Sequence, residues 1–334
     1  MNEKSDAPTV AVLIPYFQKQ KGILENTVRS VLAQRGFDDY KVIIVDDGSP
    51  VSAESELVSI VSHREKIRII QQKNAGPGAA RNKALENVPD GTGYVAFLDS
   101  DDQLDPSYLA DAVSALDKGY DLFFGNSRRA GIEKSRFEWD SIPGVTLDLT
   151  QHRLIDEAHE LYEFVGDFFD FVVFRSNIIG PSTMAYRYRV GSNVRFNEKI
   201  YNGQDRIFKL FLCRQAKKVA FSPKEYAREG KGINIFDSAG WGTERSLSLL
   251  SSYIEMCKFI LNNIPMNARQ LAHVKRHLAQ TRYAFTASLF HQTRHGTVDW
   301  KLVGKTFVSD SATLLWLVPN AMKVVKVKSR ADRS

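Results

Sequence analysis

Tyr94-Val95-Ala96-Phe97-Leu98-Asp99-Ser100-Asp101-Asp102 is an apolar run of strand-forming residues that stops in three carboxylates. The apolar part reads as a strand buried on both faces, as in a parallel sheet. Acids crowded at its carboxyl end repel one another by roughly 4 kcal/mol per pair at about 4 Å, with an effective dielectric near 20. Two readings fit such a cluster. One is a bound divalent cation. The other is a solvated turn that caps the next helix, with Asp105-Pro106 opening that helix.

Working outward, the same pattern recurs. Thr9 to Ile14 is an apolar run closed by Pro15, which predicts a first strand. Ile23, Val28, Val31 and Leu32 keep helical spacing. Val42 to Val45 predicts a second buried strand, ending in Asp46-Asp47-Gly48-Ser49-Pro50. A helix is expected over Ala53 to Ser62, a strand over Ile67 to Ile70, a turn at Asn74 to Gly78 and a helix over Ala79 to Asn87. After the Tyr94 to Leu98 strand come a helix at Ser107 to Leu116 and a strand at Leu122 to Phe124. Strands alternating with helices imply right-handed crossovers and a mainly parallel sheet covered on both faces. Ligands in such sheets sit outside the carboxyl ends of the strands. Two acidic clusters, Asp46-Asp47 and Asp99 to Asp102, fall at such ends.

Arg128 to Asp148 is polar and irregular and reads as an excursion from the sheet. Leu154 to Phe171 is expected to be mostly helical, Ser182 to Tyr186 extended, Asp205 to Leu212 an amphipathic helix and Val219 to Phe221 a strand. Helices then follow over Leu247 to Asn262, Ala268 to Phe290, Val298 to Ser309 and Leu314 to Val327. The expected division is a tail at 1–8, an α/β domain at 9–240 and a helical region at 241–334, with a boundary near Ser238 to Gly242.

The 334 residues, 43% hydrophobic and 25% charged, describe a globular chain of one large or two moderate domains. Two cysteines without metal spacing and an N-terminus without an apolar leader point to a reducing cytoplasm. No apolar run is long enough to span a bilayer. The net charge of +6 is concentrated in the last third, including Lys323, Lys326, Lys328, Arg330 and Arg333. That balance suits a membrane surface, a lipid diphosphate or nucleic acid. Leu314-Leu315-Trp316-Leu317-Val318-Pro319 ahead of those cations reads either as an interfacial element or as a packed terminal helix with a frayed basic end.

Single residues carry less. Asp47 alone is an acid that tightens an Asp-Gly turn, and Asp205 alone is a helix N-terminal acid favoured by the macrodipole. Asn74 to Gly78 lacks the Lys-Ser/Thr of a phosphate cradle, and His273 and His277 lack the Glu of a zinc protease.

Four separated stretches together carry a resemblance: Val10 to Tyr16, Val42 to Ser49, Gly78 to Asn82 and Phe97 to Asp102. In order and spacing they resemble the family 2 glycosyltransferases of GT-A fold, over roughly residues 9 to 222. The resemblance implies a nucleotide-sugar donor, with UDP preferred, and sugar transfer to an acceptor hydroxyl on a saccharide or lipid-linked saccharide. It implies that Asp47 reads the base edge, with Pro15 and Tyr16 beside the base. Asp99 and Asp101, around Ser100, look like the Asp-x-Asp pair that engages donor ribose and a Mg²⁺ or Mn²⁺ ion, with Asp102 as an auxiliary acid. Arg81 looks like a donor-site cation near the diphosphate, and Arg228 and Lys231 would assist it from a basic loop. Phe196 to Asp205 resembles the segment that supplies the catalytic base, which falls on Asp205. Gln204 departs from the family's Glu; an amide can hydrogen-bond an acceptor hydroxyl but cannot take its proton. One base opposite the leaving group implies inversion at the anomeric carbon.

Two other classes compete with this reading. A nucleotidyltransferase expects a Gly-rich, Arg- and Lys-bearing loop after the first strand, whereas Pro15-Tyr16-Phe17-Gln18-Lys19 follows here. A non-enzymatic basic module does not require acids at strand ends, so no nucleic acid partner is expected. The implied site is cytoplasmic, with a peripheral contact at the inner membrane's cytoplasmic face through the basic C-terminal region.

Overall fold

The computed structural model describes residues 9–60, 62–139, 147–230 and 242–323. The chain divides into two compact units: Met1–Glu198 with Phe208–Ile233, and Lys199–Ile207 with Asn234–Ser334.

The first unit is built on a ten-stranded sheet. In chain order its elements are β1 (Val10–Tyr16), α1 (Ile23–Leu32), β2 (Tyr40–Asp46), α2 (Ala53–Glu56), β3 (Ile67–Gln71), α3 (Pro77–Glu86), β4 (Tyr94–Phe97), β5 (Gln103–Leu104), α4 (Tyr108–Asp117) and β6 (Leu122–Arg129). There follow β7 (Arg153–Asp156), β8 (Leu161–Glu163), α5 (Phe168–Arg175), β9 (Met184–Arg187), α6 (Tyr188–Gly191), α7 (Gln204–Gln215) and β10 (Val219–Glu229). The strand order is β3-β2-β1-β4-β9-β6-β10-β8-β7, with β5 paired to β10.

β1 and β4 are buried along their whole length, which is why their sequences are unbroken apolar runs rather than alternating ones. β3, β2, β1 and β4 pair in parallel. β9 is antiparallel to both β4 and β6, and β10 is parallel to β6. The carboxyl ends of β1, β2, β4, β6 and β10 therefore point to one edge. Pro15 lies within β1, opposite Val45, but past the last β1–β4 pair at Leu13–Phe97, so its missing N–H breaks no pairing with β4.

β10 is longer than the expected Val219 to Phe221. Its register slips between Ser222 and Ala227, around Pro223. The bulge lets the strand run on to pair Ala227 with Leu104 and Arg228 with Gln103 in β5, directly after the acidic turn.

Other expectations need correction. The helix over Ala53 to Ser62 is a single turn. Leu154 to Phe171 is not mostly helical: β7 and β8 form an antiparallel hairpin, and β8 pairs with β10 at Ala220–Glu163 and Phe221–Tyr162. β5 was not anticipated. Of the Arg128 to Asp148 excursion, residues 140–146 lie outside the described residues.

The second unit holds α8 (Ser246–Asn263), α9 (Ala268–His295), α10 (Trp300–Ser309) and α11 (Ser311–Leu315), followed by helical residues 317–323. Asn267 and Gln270 cap α9 reciprocally, and Gly296 ends it at φ +69°. α8 packs on α9 and α10. Lys326, Lys328, Arg330 and Arg333 lie outside the described residues, as does the expected boundary from 238 to 241. Among the described residues no helix is long and apolar enough to cross a membrane.

Candidate active site

The acids at the end of β2 have separate tasks. Asp46 accepts the Ser49 and Ala53 backbone N–H groups at 2.8 Å each, holding its own turn and the start of α2. Asp47, only 2% exposed, accepts from Gln72 Nε2 at 2.7 Å and from the Ala75 and Gly76 backbone N–H groups at 2.8 Å. It therefore ties the β2 end to the loop that opens α3. Gly48 lies at φ +66°, and a Cβ there would come 3.0 Å from the Asn74 nitrogen, so this close approach favours glycine. The Tyr16 side chain is buried; its hydroxyl donates to the Val51 carbonyl at 2.7 Å, and burial pushes its pKa up to about 12. Pro15 is buried beside it. Whatever Tyr16 offers a bound base falls to its main chain, whose carbonyl already accepts the Asp47 N–H at 2.9 Å.

α3 starts with Pro77 in its first turn and buries Gly78 and Ala80, small residues that let it lie close on β1 and β2. That packing delivers Arg81 to the end of β4. Arg81 is buried, its Nη2 donates to Asp99 Oδ1 at 2.5 Å, and its guanidinium lies 5.4 Å from the Phe196 ring centroid. Its Nε and Nη1 are buried with no hydrogen-bond partner. Asn82, next in the helix, donates to the Phe196 carbonyl at 3.0 Å and to Glu198 Oε1 at 2.8 Å, and accepts the Phe196 N–H at 2.8 Å.

The turn from Asp99 to Asp102 is held from four sides. The Asp102 N–H donates to the Asp99 carbonyl at 3.0 Å. Thr27 of α1 donates to the Ser100 carbonyl at 2.9 Å, and Gln18 reaches Ser100 Oγ at 3.4 Å. Ser182 Oγ accepts the Asp99 N–H at 3.0 Å and donates to Asp102 Oδ2 at 2.5 Å. The Gly230 N–H, one residue past β10, donates to Asp102 Oδ1 at 3.1 Å. A Cβ on Gly230 would fall 1.8 Å from the Asp101 carbonyl oxygen.

The three acids are thereby sorted. Asp102 faces inward; burial, then the charges of Asp99 and Asp101, raise its pKa well above the usual carboxylate range. The Asp99 side chain keeps 32% of its surface open and pairs through one oxygen with Arg81. Asp101 is half-buried. The start of α4 is held by Asp105, which accepts from the Ser107 N–H at 2.9 Å and its hydroxyl at 2.8 Å. The helix start is held by Asp105, as expected, and not by the Asp99–Asp102 carboxylates. Among the described residues no group of three or more His, Cys, Asp or Glu is gathered to cage a metal. Asp99 and Asp101 instead offer the paired hard oxygens that Mg²⁺ or Mn²⁺ accepts when phosphate and water complete its shell.

Arg228 is exposed at the end of β10, and Lys231 lies outside the described residues. Asp205 lies in the first turn of α7, after Gly203; Gln204 to Ile207 of that helix are counted with the second unit and the rest with the first. Gly203 sits at φ +88° with no room for a side chain against the Met256 sulfur. Gln204 is buried, and its Oε1 has no hydrogen-bond partner. A neutral amide tolerates that burial where a carboxylate would not. Sequence reasoning missed the supports: Thr27, Asn82, Ser182 and Gly230. Gly78 to Asn82 was marked as a motif, but nothing local tells that Asn82 and Ser182 reach residues about a hundred or eighty positions away.

The sequence profile described as Glycosyl transferase family 2 matches residues 11–189. The chain belongs to that family. It is a glycosyltransferase, which sets aside the nucleotidyltransferase and basic-module readings. The chain is 32% identical over 244 residues to the succinoglycan biosynthesis protein ExoW of Rhizobium meliloti, covering 69% of this chain and 71% of that protein. It is 26% identical over 265 residues to the GalNAc(5)-diNAcBac-PP-undecaprenol beta-1,3-glucosyltransferase of Campylobacter jejuni, covering 78% and 76%. Its fold is like that of S. aureus TarS 1-349 in complex with UDP, with a TM-score of 0.58 at 17% identity over 97% of this chain and 92% of that one. The glycosyltransferase thus has a mixed α/β, mostly parallel GT-A sheet with a C-terminal helical region.

Proposed function

We propose that this glycosyltransferase moves a sugar, with inversion, from a UDP-sugar to a hydroxyl of a saccharide or lipid-linked saccharide, building a surface polysaccharide or glycolipid at the cytoplasmic face of a membrane. The observation that carries the reading is the Asp99–Asp102 turn, clamped between Arg81 and Gly230 at the carboxyl edge of the sheet. UDP on the TarS structure, and the polysaccharide and undecaprenol-linked products in the names of the two relatives, support the donor and acceptor classes.

Asp99 and Asp101 would hold a Mg²⁺ or Mn²⁺ ion. When bound, the ion offsets the charge that grows on the departing diphosphate. Arg81 brings a buried guanidinium with two nitrogens that have no hydrogen-bond partner, and Arg228, at the end of β10, and Lys231 would add positive charge. Asp47, Pro15 and Tyr16 form the nucleoside end. Asp47 Oδ2 accepts one of the three loop hydrogen bonds and keeps an acceptor position that would read a base N–H. Ser100 fixes the turn through its carbonyl and hydroxyl, and Asp102 holds it from behind. Asp205 would take the proton of the attacking hydroxyl, a contribution of roughly 10²–10⁴-fold, with the Gln204 amide orienting that hydroxyl.

The test is nucleoside diphosphate release from a panel of UDP-, GDP- and TDP-sugars, with and without EDTA. UDP release that needs Mn²⁺ or Mg²⁺, and that falls about 100-fold or more in Asp101→Asn, is expected. Turnover confined to another nucleotide, or unaffected by EDTA, overturns the donor or the metal assignment respectively. An α-linked product from an α-linked donor overturns inversion.

A further inference from the structure

The last helices of the second unit expose several large apolar side chains and bury several polar groups. On α10, Trp300 and Val308 face solvent, Val308 with 89% of its surface open, while Val303 and Thr306 are buried. From residue 311 onward the exposed apolar side chains are Leu314, Leu315 (76%), Trp316, Val318 and Met322, of which Leu315, Val318 and Met322 keep the i, i+3, i+7 spacing of one helical face. The opposite face buries Thr313 and Asn320.

Those polar groups hold the element in place. Asp310, between the helices, accepts from Arg282 Nε at 2.8 Å and Nη2 at 2.7 Å, and from the Thr313 hydroxyl at 2.5 Å. Thr306 and Ser251 share a hydrogen bond at 2.8 Å. The inward side is thus fixed by polar bonds to α8 and α9, and the apolar stripe is held outward. Exposed apolar side chains gathered in this way suit a medium that accepts them.

Charge identifies the medium. Lys301, Lys305 and Lys323 are exposed on the same segments. The acid between residues 300 and 323 is Asp310, which is buried and ion-paired. The sequence beyond continues with Lys326, Lys328, Arg330 and Arg333 against Asp332. Trp and Leu beside lysines with long aliphatic stems is the composition of a segment lying in an anionic headgroup layer.

We infer that α10, α11 and the helical residues 317–323 after them form a lipid-binding face that seats this glycosyltransferase on an anionic bilayer. The apolar stripe enters the headgroup boundary and the lysines meet lipid phosphates. The inference deepens the proposed membrane-face role, but its test uses neither donor nor acceptor.

The test is flotation of the full chain with large unilamellar vesicles of phosphatidylcholine alone and of phosphatidylcholine with phosphatidylglycerol. Binding to the second kind, weakened by salt, is expected. Leu315→Glu with Val318→Glu should lower the partition coefficient by about tenfold or more, with the far-UV spectrum unchanged because both side chains lie at the surface. Lys301→Gln with Lys305→Gln should weaken binding to anionic vesicles and lessen its salt dependence. A chain that stays in solution with anionic vesicles at low salt overturns the inference. So does light scattering that finds a dimer which the Leu315/Val318 variant dissolves, because the stripe then belongs to a second copy. Loss of transfer activity with vesicle binding intact would count against the donor reading alone.

Discussion

Gly230 is where one added carbon tests the active site without removing a charge. Its backbone N–H holds Asp102, and its Cα leaves no space before the Asp101 carbonyl. Gly230→Ala must push the acidic turn and the end of β10 apart. Overpacking of this kind costs about 1–3 kcal/mol. If Asp99 and Asp101 hold the ion as proposed, the expected outcome is a folded enzyme in which half-maximal activity needs about tenfold or more Mn²⁺, because the two carboxylates lose their mutual setting. Ser182→Ala takes away the hydroxyl between the Asp99 N–H and the Asp102 carboxyl. It should act in the same direction at a stability cost of about 1–3 kcal/mol, and Ser182→Thr should restore part of the metal affinity. Metal titrations of activity and thermal melts separate the two effects. If both variants lose stability but keep the wild-type metal dependence, the clamp serves folding alone.

Among the elements, the β7–β8 hairpin shows what was legible in the sequence and what was not. The strands that set the sheet are unbroken apolar runs ending in acids, a local signal that placed β1, β2 and β4 and both acidic clusters. Residues 153–165 carry the opposite signal. Leu154, Ile155, Ala158, Leu161, Tyr162 and Val165 keep helical spacing. The chain nevertheless forms strands, because Tyr162 stacks on Phe221 at 5.5 Å and β8 completes the ladder beside β10. Those partners lie some sixty residues away, so tertiary pairing overrides periodicity there. The contacts of Asn82 and Ser182 were hidden for the same reason. The hairpin turns at Glu160, whose φ of +49° is unfavourable for a residue with a side chain. Glu160→Gly should therefore stabilise the chain by roughly 0.5–1 kcal/mol, since its 3.9 Å contact with Lys224 is exposed and weak. In a helix the same substitution would destabilise by about the same amount, so the sign of the melting shift distinguishes the two structures.

Over the whole molecule, the response to acid is set in part by a buried imidazole in the second unit. His277 of α9 lies 3.2 Å through Nδ1 from Arg206 Nη1 and 3.8 Å from the Cys257 sulfur. Burial, then the charges of Arg206 and His273, lower its pKa from 6.5 to about 4. Neutral His277 accepts from the guanidinium; once protonated, it would set two cations against each other. His273 is shifted the same way, first by burial and then by Arg206. The folded pKa lies below the unfolded one, so as pH falls the unfolded chain takes up the proton first. The stability due to His277 is full above about pH 6.5 and is lost as pH falls to about 4, on the order of 3 kcal/mol in total. Asp310 acts in the same direction at lower pH. Burial alone would raise its carboxyl, but hydrogen bonds from Arg282 and Thr313 hold it below its usual value. In His277→Gln an amide oxygen can still accept from Arg206 but does not titrate. Melting temperatures measured from pH 4 to 7.5 should fall less steeply toward acid in this variant than in the wild type. Parallel curves would mean that titration of this ring does not set the acid response.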